Sequence, residues 1–94
     1  MLAIARALVR DPKIVLLDEP FEGLAPAIVK DLVAACVQLA AEGRTTLLLV
    51  EQNIAATLAL AQRVYILNNG HVVHEGPVGQ LRAEPRILQQ HLGV

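Results

Sequence analysis

Two adjacent carboxylates, Asp18 and Glu19, follow an unbroken apolar run, Ile14-Val15-Leu16-Leu17, and precede Pro20. Four apolar residues suffice to bury a strand, so the two acids emerge at its carboxyl end. In open α/β sheets that end is where chemistry collects. A carboxylate there can hold Mg2+ through the ion's own waters, because Mg2+ keeps most of its hydration and needs few protein ligands. A second carboxylate beside it can orient or deprotonate a water that attacks a phosphate. The two side chains splay differently, so each can take one of these roles. Read from these residues alone, a plain strand closed by an acidic turn fits equally well.

The elements that must position these acids are legible along the chain. Residues 1–10 carry apolar positions at mixed helical spacing, and Asp11-Pro12 stops them. No Ser, Thr, Asp or Asn stands ahead of that helix to cap it, so the expectation is that a segment precedes it. Residues 13–18 read as a strand whose continuous apolar run predicts cover on both faces. Residues 26–42 form a helix opened by Pro26 and closed at Gly43, with Ile28, Leu32, Cys36 and Leu39 as its inner stripe. Residues 45–50 read as a second buried strand, and Asn53 caps a helix over 54–62 in which Leu58 and Leu60 pack. Asn68-Asn69-Gly70 joins the runs 64–67 and 71–75 as a hairpin. Two short helices, 77–83 and 85–91, complete an α-β-α-β-α-β-β-α-α order. Such alternation predicts parallel strands flanked by helices.

Bulk properties exclude several classes. The 94 residues make one small domain, with 54% hydrophobic residues and a net charge of −1. No stretch is strongly basic, which removes the electrostatic footprint of a nucleic-acid binder. The longest uncharged runs, 32–41 and 52–62, fall short of the roughly 20 apolar residues needed to cross a bilayer. Arg6 and Arg10 interrupt the apolar start, so no signal peptide is expected. The single cysteine, Cys36, forbids an internal disulfide and reads as a small buried residue. His71 and His74, three apart on a hairpin, are expected on opposite faces and unable to share a metal. Arg82, Arg86 and His91 read as surface residues.

The ordered set of motifs resembles the ABC ATPases. Leu2-Ala3-Ile4-Ala5-Arg6-Ala7-Leu8, Pro12 and Leu16-Leu17-Asp18-Glu19-Pro20 resemble that family from just after its signature motif through its Walker B strand. Phe21 to Pro26 sits where the family has its D-loop. Leu48-Leu49-Val50-Glu51-Gln52-Asn53 sits at the switch strand and loop, and 63–76 looks like the hairpin that follows. Two departures narrow the likeness. Gln52 stands where most members have histidine, and Ala25 where most have aspartate. Gly-Leu-Ala-Pro with Val-Glu-Gln-Asn, and the terminal Leu92-Gly93, are similar to one of the two ATPase subunits of branched-chain amino-acid importers. Related systems carry urea or short amides.

The resemblance implies an α/β fold that is part of a P-loop NTPase, with parallel strands, flanking helices and a C-terminal hairpin. It implies ATP and Mg2+ as cofactors. Asp18 would hold the metal, through water, and Glu19 would be catalytic. Gln52 would meet the γ-phosphate, and Gly23, Leu24 and Ala25 would lie beside the nucleotide. It implies a second ATPase subunit, membrane permeases and, indirectly, a periplasmic binding protein as partners. The chain would sit on the inner face of the plasma membrane, with no insertion in the lipid and no nucleic acid bound. Neither Gly-x-x-x-x-Gly-Lys-Ser/Thr nor Leu-Ser-Gly-Gly-Gln occurs in the 94 residues. Residues 1–94 are therefore expected to be the C-terminal portion of one nucleotide-binding domain, lacking the P-loop strand between the strands at 45–50 and 63–68. A truncated product without activity of its own, or a non-transport ABC protein, are the alternatives.

Glutamine at position 52 can donate a hydrogen bond to a phosphate oxygen but cannot titrate near neutral pH as histidine does. The pH profile of an intact ATPase containing this segment is expected to show no ionisation assignable to Gln52. An ionisation present in the wild type and lost in Gln52→Ala would overturn this.

Overall fold

A computed structural model describes Arg6 and residues 10–93. The helix expected over 1–10 thus lies outside the described residues, apart from Arg6 and Arg10. The chain forms two compact units that divide between Leu60 and Ala61.

In the first unit, β1 (Ile14–Asp18) and β2 (Thr46–Val50) pair in parallel, with Ile14 opposite Thr46 and Asp18 opposite Val50. The pair is pinned at its amino end. Thr46 N–H donates to the Lys13 carbonyl at 2.8 Å, and the buried Thr45 hydroxyl donates to the Pro12 carbonyl at 3.0 Å. Between the strands runs α1 (Pro26–Ala41), with proline at its first position, where the missing N–H is no loss. Gly43 follows at φ 76°, a left-handed stop that glycine adopts without strain. The helix α2 (Ile54–Leu60) follows β2. Asn53 Oδ1 accepts from Ala56 N–H at 3.0 Å, as a helix cap should.

Helix α2 ends earlier than the expected residue 62. The Gln62 carbonyl accepts instead from Val78 N–H at 2.9 Å, in the second unit, so the chain has already left the helix there.

Two clusters build the core of the first unit. Val15, Leu17 and Cys36 form one, and Phe21, Leu32 and Ala56 the other; Leu49 and Leu60 pack against both. Cys36 is buried as expected, and that burial pushes its thiol up. Leu32 and Cys36 carry the inner stripe of α1, but Ile28 does not join them and is exposed. Val29 and Val33 pack on the second cluster in its place, rotating the stripe toward Phe21 and α2.

Among the described residues the sheet is covered on one face only, whereas the continuous apolar run of its strands predicted cover on both. Val15 and Leu17 face the helices, whereas Ile14 is 62%, Leu16 71%, Leu48 55% and Val50 57% exposed. Because strand side chains alternate, these four share the other face. The apolar content that predicted double cover is present, but the two described helices of the first unit, α1 and α2, lie against one side.

In the second unit, β3 (Arg63–Asn68) and β4 (His71–Pro77) form an antiparallel hairpin. Asn69 and Gly70 have φ 51° and 78°, the two left-handed residues that a two-residue hairpin turn demands. A register shift follows: Ile66 pairs with His74, and the next residue, Leu67, pairs with Val72. Val73 is therefore an extra residue in β4, which breaks the alternation. His71, opposite Asn68, and His74, opposite Ile66, consequently fall on the same face, correcting the expectation of opposite faces. The short helices α3 (Val78–Ala83) and α4 (Arg86–Leu92) bury Leu81 and Ile87. His91 is half-buried, not a surface residue, with its ring 6.4 Å from that of His74. Arg63 pairs with Glu75 across the hairpin.

No third strand joins either pair among the described residues; β1–β2 and β3–β4 are separate two-stranded sheets.

The split between the two sheet faces has a measurable consequence. Leu32→Ala opens a cavity in a filled cluster and is expected to destabilise the first unit by about 2–5 kcal/mol. Leu48→Ala removes a side chain from the open face and is expected to stay within about 0.5 kcal/mol. Urea titration of the two variants checks this; equal costs would mean that Leu48 is buried in solution.

Candidate active site

The acids predicted from sequence stand where the two parallel strands end together. Asp18 closes β1 and is exposed, directly opposite Val50. Glu19 N–H donates to the Val50 carbonyl at 2.7 Å, carrying the ladder one residue beyond β1. Glu19 itself has φ 47°, an uncommon conformation for a residue with a side chain. It turns the chain sharply out of the strand, so Asp18 and Glu19 do not continue the pleat together.

Two tight turns follow. Glu22 N–H donates to the Glu19 carbonyl at 3.2 Å, and Leu24 N–H to the Phe21 carbonyl at 3.3 Å. Phe21 anchors them, buried against Leu32 and Ala56. Gly23 lies at φ 74° with open space where a Cβ would stand, so backbone angle and not crowding calls for glycine there. Gly23, Leu24 and Ala25 form an exposed loop running into α1. Ala25 occupies the helix-cap position in extended conformation. An aspartate there could accept a hydrogen bond from the first turn; alanine cannot.

Leaving β2, Glu51 does what the sequence did not suggest. Its Oε1 accepts from both Gln52 N–H at 3.1 Å and Asn53 N–H at 3.2 Å, while its Oε2 is buried with no hydrogen-bond partner among the described residues. The signal that could have found it was its place just ahead of the Asn53 cap, within reach of the unpaired N–H groups at a helix start. Gln52 is exposed. Asp18, Glu19, Glu51 and Gln52 thus all leave the sheet at one end, joined by the bond from Glu19 to Val50.

Electrostatics tie the carboxylates together. Glu19 is held above its ordinary value of 4.5, first by a hydrogen bond shared with the Glu22 side chain and by that group's charge, then by partial burial, then by Asp18 and Glu51. Such a surplus of negative charge on oxygen donors suits a hard divalent cation. Among the described residues no three His, Cys, Asp or Glu side chains converge as direct metal ligands. A magnesium ion held mainly by water does not need them. The open depression of about 380 Å³ lined by Arg6, Arg10, Pro12 and Ile14 to Leu16 lies toward the amino end of β1, away from these acids.

A raised carboxyl value means that the folded chain holds this proton more tightly than the unfolded chain. The associated stability is present below pH 4.5 and is lost as pH rises through the raised value of Glu19. Glu22→Gln removes the largest cause and replaces a competing acid with an amide donor. The Glu19 carboxyl is then expected to titrate at lower pH, as read by carbon-detected NMR; an unchanged midpoint would refute the shared hydrogen bond.

No protein-family profile matches the chain. Individual proteins do. The high-affinity branched-chain amino acid transport ATP-binding protein BraG of Pseudomonas aeruginosa is 45% identical over 93 residues, which is 99% of this chain and 40% of that protein. LivG of Escherichia coli, described in the same terms, is 35% identical over 92 residues, or 98% of this chain and 36% of LivG. Among solved structures, cbiO1 from Clostridium perfringens, part of the ABC transporter complex cbiONQ, superposes with a TM-score of 0.79 at 28% identity, covering 98% of this chain and 38% of its own. The ADP conformation of MJ1267, an ATP-binding cassette of an ABC transporter, gives 0.76 at 27% identity, over 97% of this chain and 37% of its own. The chain therefore spans about two-fifths of the length of the curated relatives it matches. Likeness in both sequence and fold thus runs over nearly all of its residues: the chain has part of the fold of the ABC ATPase domains and is similar to ATP-binding proteins of ABC transporters, among them those of branched-chain amino-acid transport.

Proposed function

We propose that these 94 residues are the water- and metal-side portion of an ATPase that drives import of branched-chain amino acids or related small polar solutes. The observation that carries this reading is the joined carboxyl end of β1 and β2, where Asp18 and Glu19 meet the loop of Glu51 and Gln52. The likeness to BraG and LivG supplies the transport class.

Each residue then has a role that its chemistry permits. Asp18, exposed at the strand end, holds Mg2+ through the ion's waters. Bound there, the ion supplies positive charge against the phosphate oxygens. Glu19 orients the attacking water and accepts its proton, a task for which a carboxyl held above its ordinary value is the better base. Gln52 donates from its amide to the terminal phosphate. Gly23, Leu24 and Ala25 present an exposed loop beside the nucleotide, suited to contact with a second ATPase subunit. Permease subunits hold the ATPase on the inner face of the membrane, and a periplasmic binding protein delivers the solute to them. No helix among the described residues is long and apolar enough to cross a membrane.

The same 94 residues contain no Gly-x-x-x-x-Gly-Lys-Ser/Thr loop, so they offer no cradle of backbone N–H groups for the phosphates and no lysine for their charge. Acting alone, the chain neither grips nor hydrolyses ATP.

Calorimetry of Mg-ATP with the 94-residue chain, beside the longer chain encoded by any in-frame upstream sequence, tests this. Absence of binding by the 94 residues, with binding and hydrolysis by the longer chain, is the expected pair of results. Saturable binding by the 94 residues themselves would put the phosphate site elsewhere and overturn the roles assigned here.

A further inference from the structure

We infer that Glu51 is the positioning residue of the Gln52 loop: its carboxylate clamps the backbone on which Gln52 is presented, leaving that side chain free to meet its ligand. The inference rests on the role proposed above for Gln52, and the clamp itself rests on geometry.

Three consecutive residues share the work. Glu51 Oε1 accepts from Gln52 N–H at 3.1 Å and from Asn53 N–H at 3.2 Å. Asn53 Oδ1 accepts from Ala56 N–H at 3.0 Å, and the Asn53 carbonyl accepts from Thr57 N–H at 3.0 Å in the first helical bond of α2. Two of the N–H groups that a helix start leaves without intrahelical partners, those of Asn53 and Ala56, are thus taken by side chains. The backbone of Gln52 is fixed between a strand end and a capped helix, while its side chain stays exposed.

A carboxylate is a stronger acceptor for such N–H groups than a neutral oxygen. It also carries a penalty. Oε2 is buried with no hydrogen-bond partner among the described residues, and the charge of Glu51 adds to the crowd around Glu19. Glutamine would keep one acceptor oxygen for the two N–H groups while removing the charge. Alanine would remove both. The two variants therefore separate clamping from charge.

Amide hydrogen exchange in the 94-residue chain reads the clamp without reference to catalysis. The Glu19 amide, bonded to Val50, serves as the internal standard for an intact β1–β2 pair. Glu51→Ala is expected to speed exchange at Gln52 and Asn53 by about tenfold, with Glu19 unchanged, and Glu51→Gln to match the wild type. Exchange at Gln52 and Asn53 that is the same in all three chains would overturn the clamp. Should Glu51→Ala also free the Glu19 amide, the glutamine variant decides: protected Gln52 and Asn53 amides, or fast exchange confined to those two, support the clamp, and fast exchange at Glu19 with Gln52 and Asn53 no faster than in the wild type overturns it.

In any longer chain that contains these residues and hydrolyses ATP, Glu51→Ala is expected to lower kcat about tenfold with little change in KM, and Glu51→Gln to keep it near the wild type. Equal loss in both variants would overturn the positioning role. If the exchange pattern holds but no chain containing these residues hydrolyses ATP, the functional reading fails and the clamp stands.

Discussion

A backbone hydrogen bond of 2.7 Å, from Glu19 N–H to the Val50 carbonyl, carries the pairing of β1 and β2 past the last residue of each strand. Everything at the candidate site hangs from it. It brings the two chain exits side by side, fixes Glu19 in its left-handed conformation, and sets the turn that leads through Phe21 to α1. Parallel pairing makes this possible, because both carboxyl ends lie on the same side of the sheet. The acids on one strand and the loop on the next are therefore neighbours although more than 30 residues separate them.

That closeness concentrates negative charge. Asp18, Glu22 and Glu51 all act on Glu19, and the hydrogen bond shared with Glu22 is the strongest influence. A fold selected only for stability gains nothing by gathering like charges. The arrangement is physically reasonable where a cation or a transferred proton relieves it, which is how perturbed carboxyls come to mark functional sites. The same logic applies to Glu51, whose buried Oε2 has no hydrogen-bond partner among the described residues while Oε1 holds two.

The second constraint is the unequal covering of the first sheet. Leu32 and Cys36 of α1, with Phe21 from the turn after β1, fill one face, and Ile14, Leu16, Leu48 and Val50 are exposed on the other. A sheet so apolar on both faces is the composition of a buried parallel sheet. The related proteins, about two and a half times as long, have more chain with which to cover such a face.

Local sequence determined a great deal. The apolar run before Asp18, Pro26 at a helix start, the Asn53 cap and the Asn69-Gly70 turn each act through forces that reach only a few residues, so each could be read directly. The motif order carried the likeness to ABC ATPases as well. Tertiary structure decided the rest. The extra residue at Val73 put His71 and His74 on one face, because a bulge depends on the partner strand's register and not on the hairpin's own pattern. Burial of Val29 and Val33 in place of Ile28 followed from where Phe21 and α2 sit. The place of Glu51 just ahead of the Asn53 cap was only a hint of its role, since a carboxylate becomes a clamp only when folding points two N–H groups at one of its oxygens.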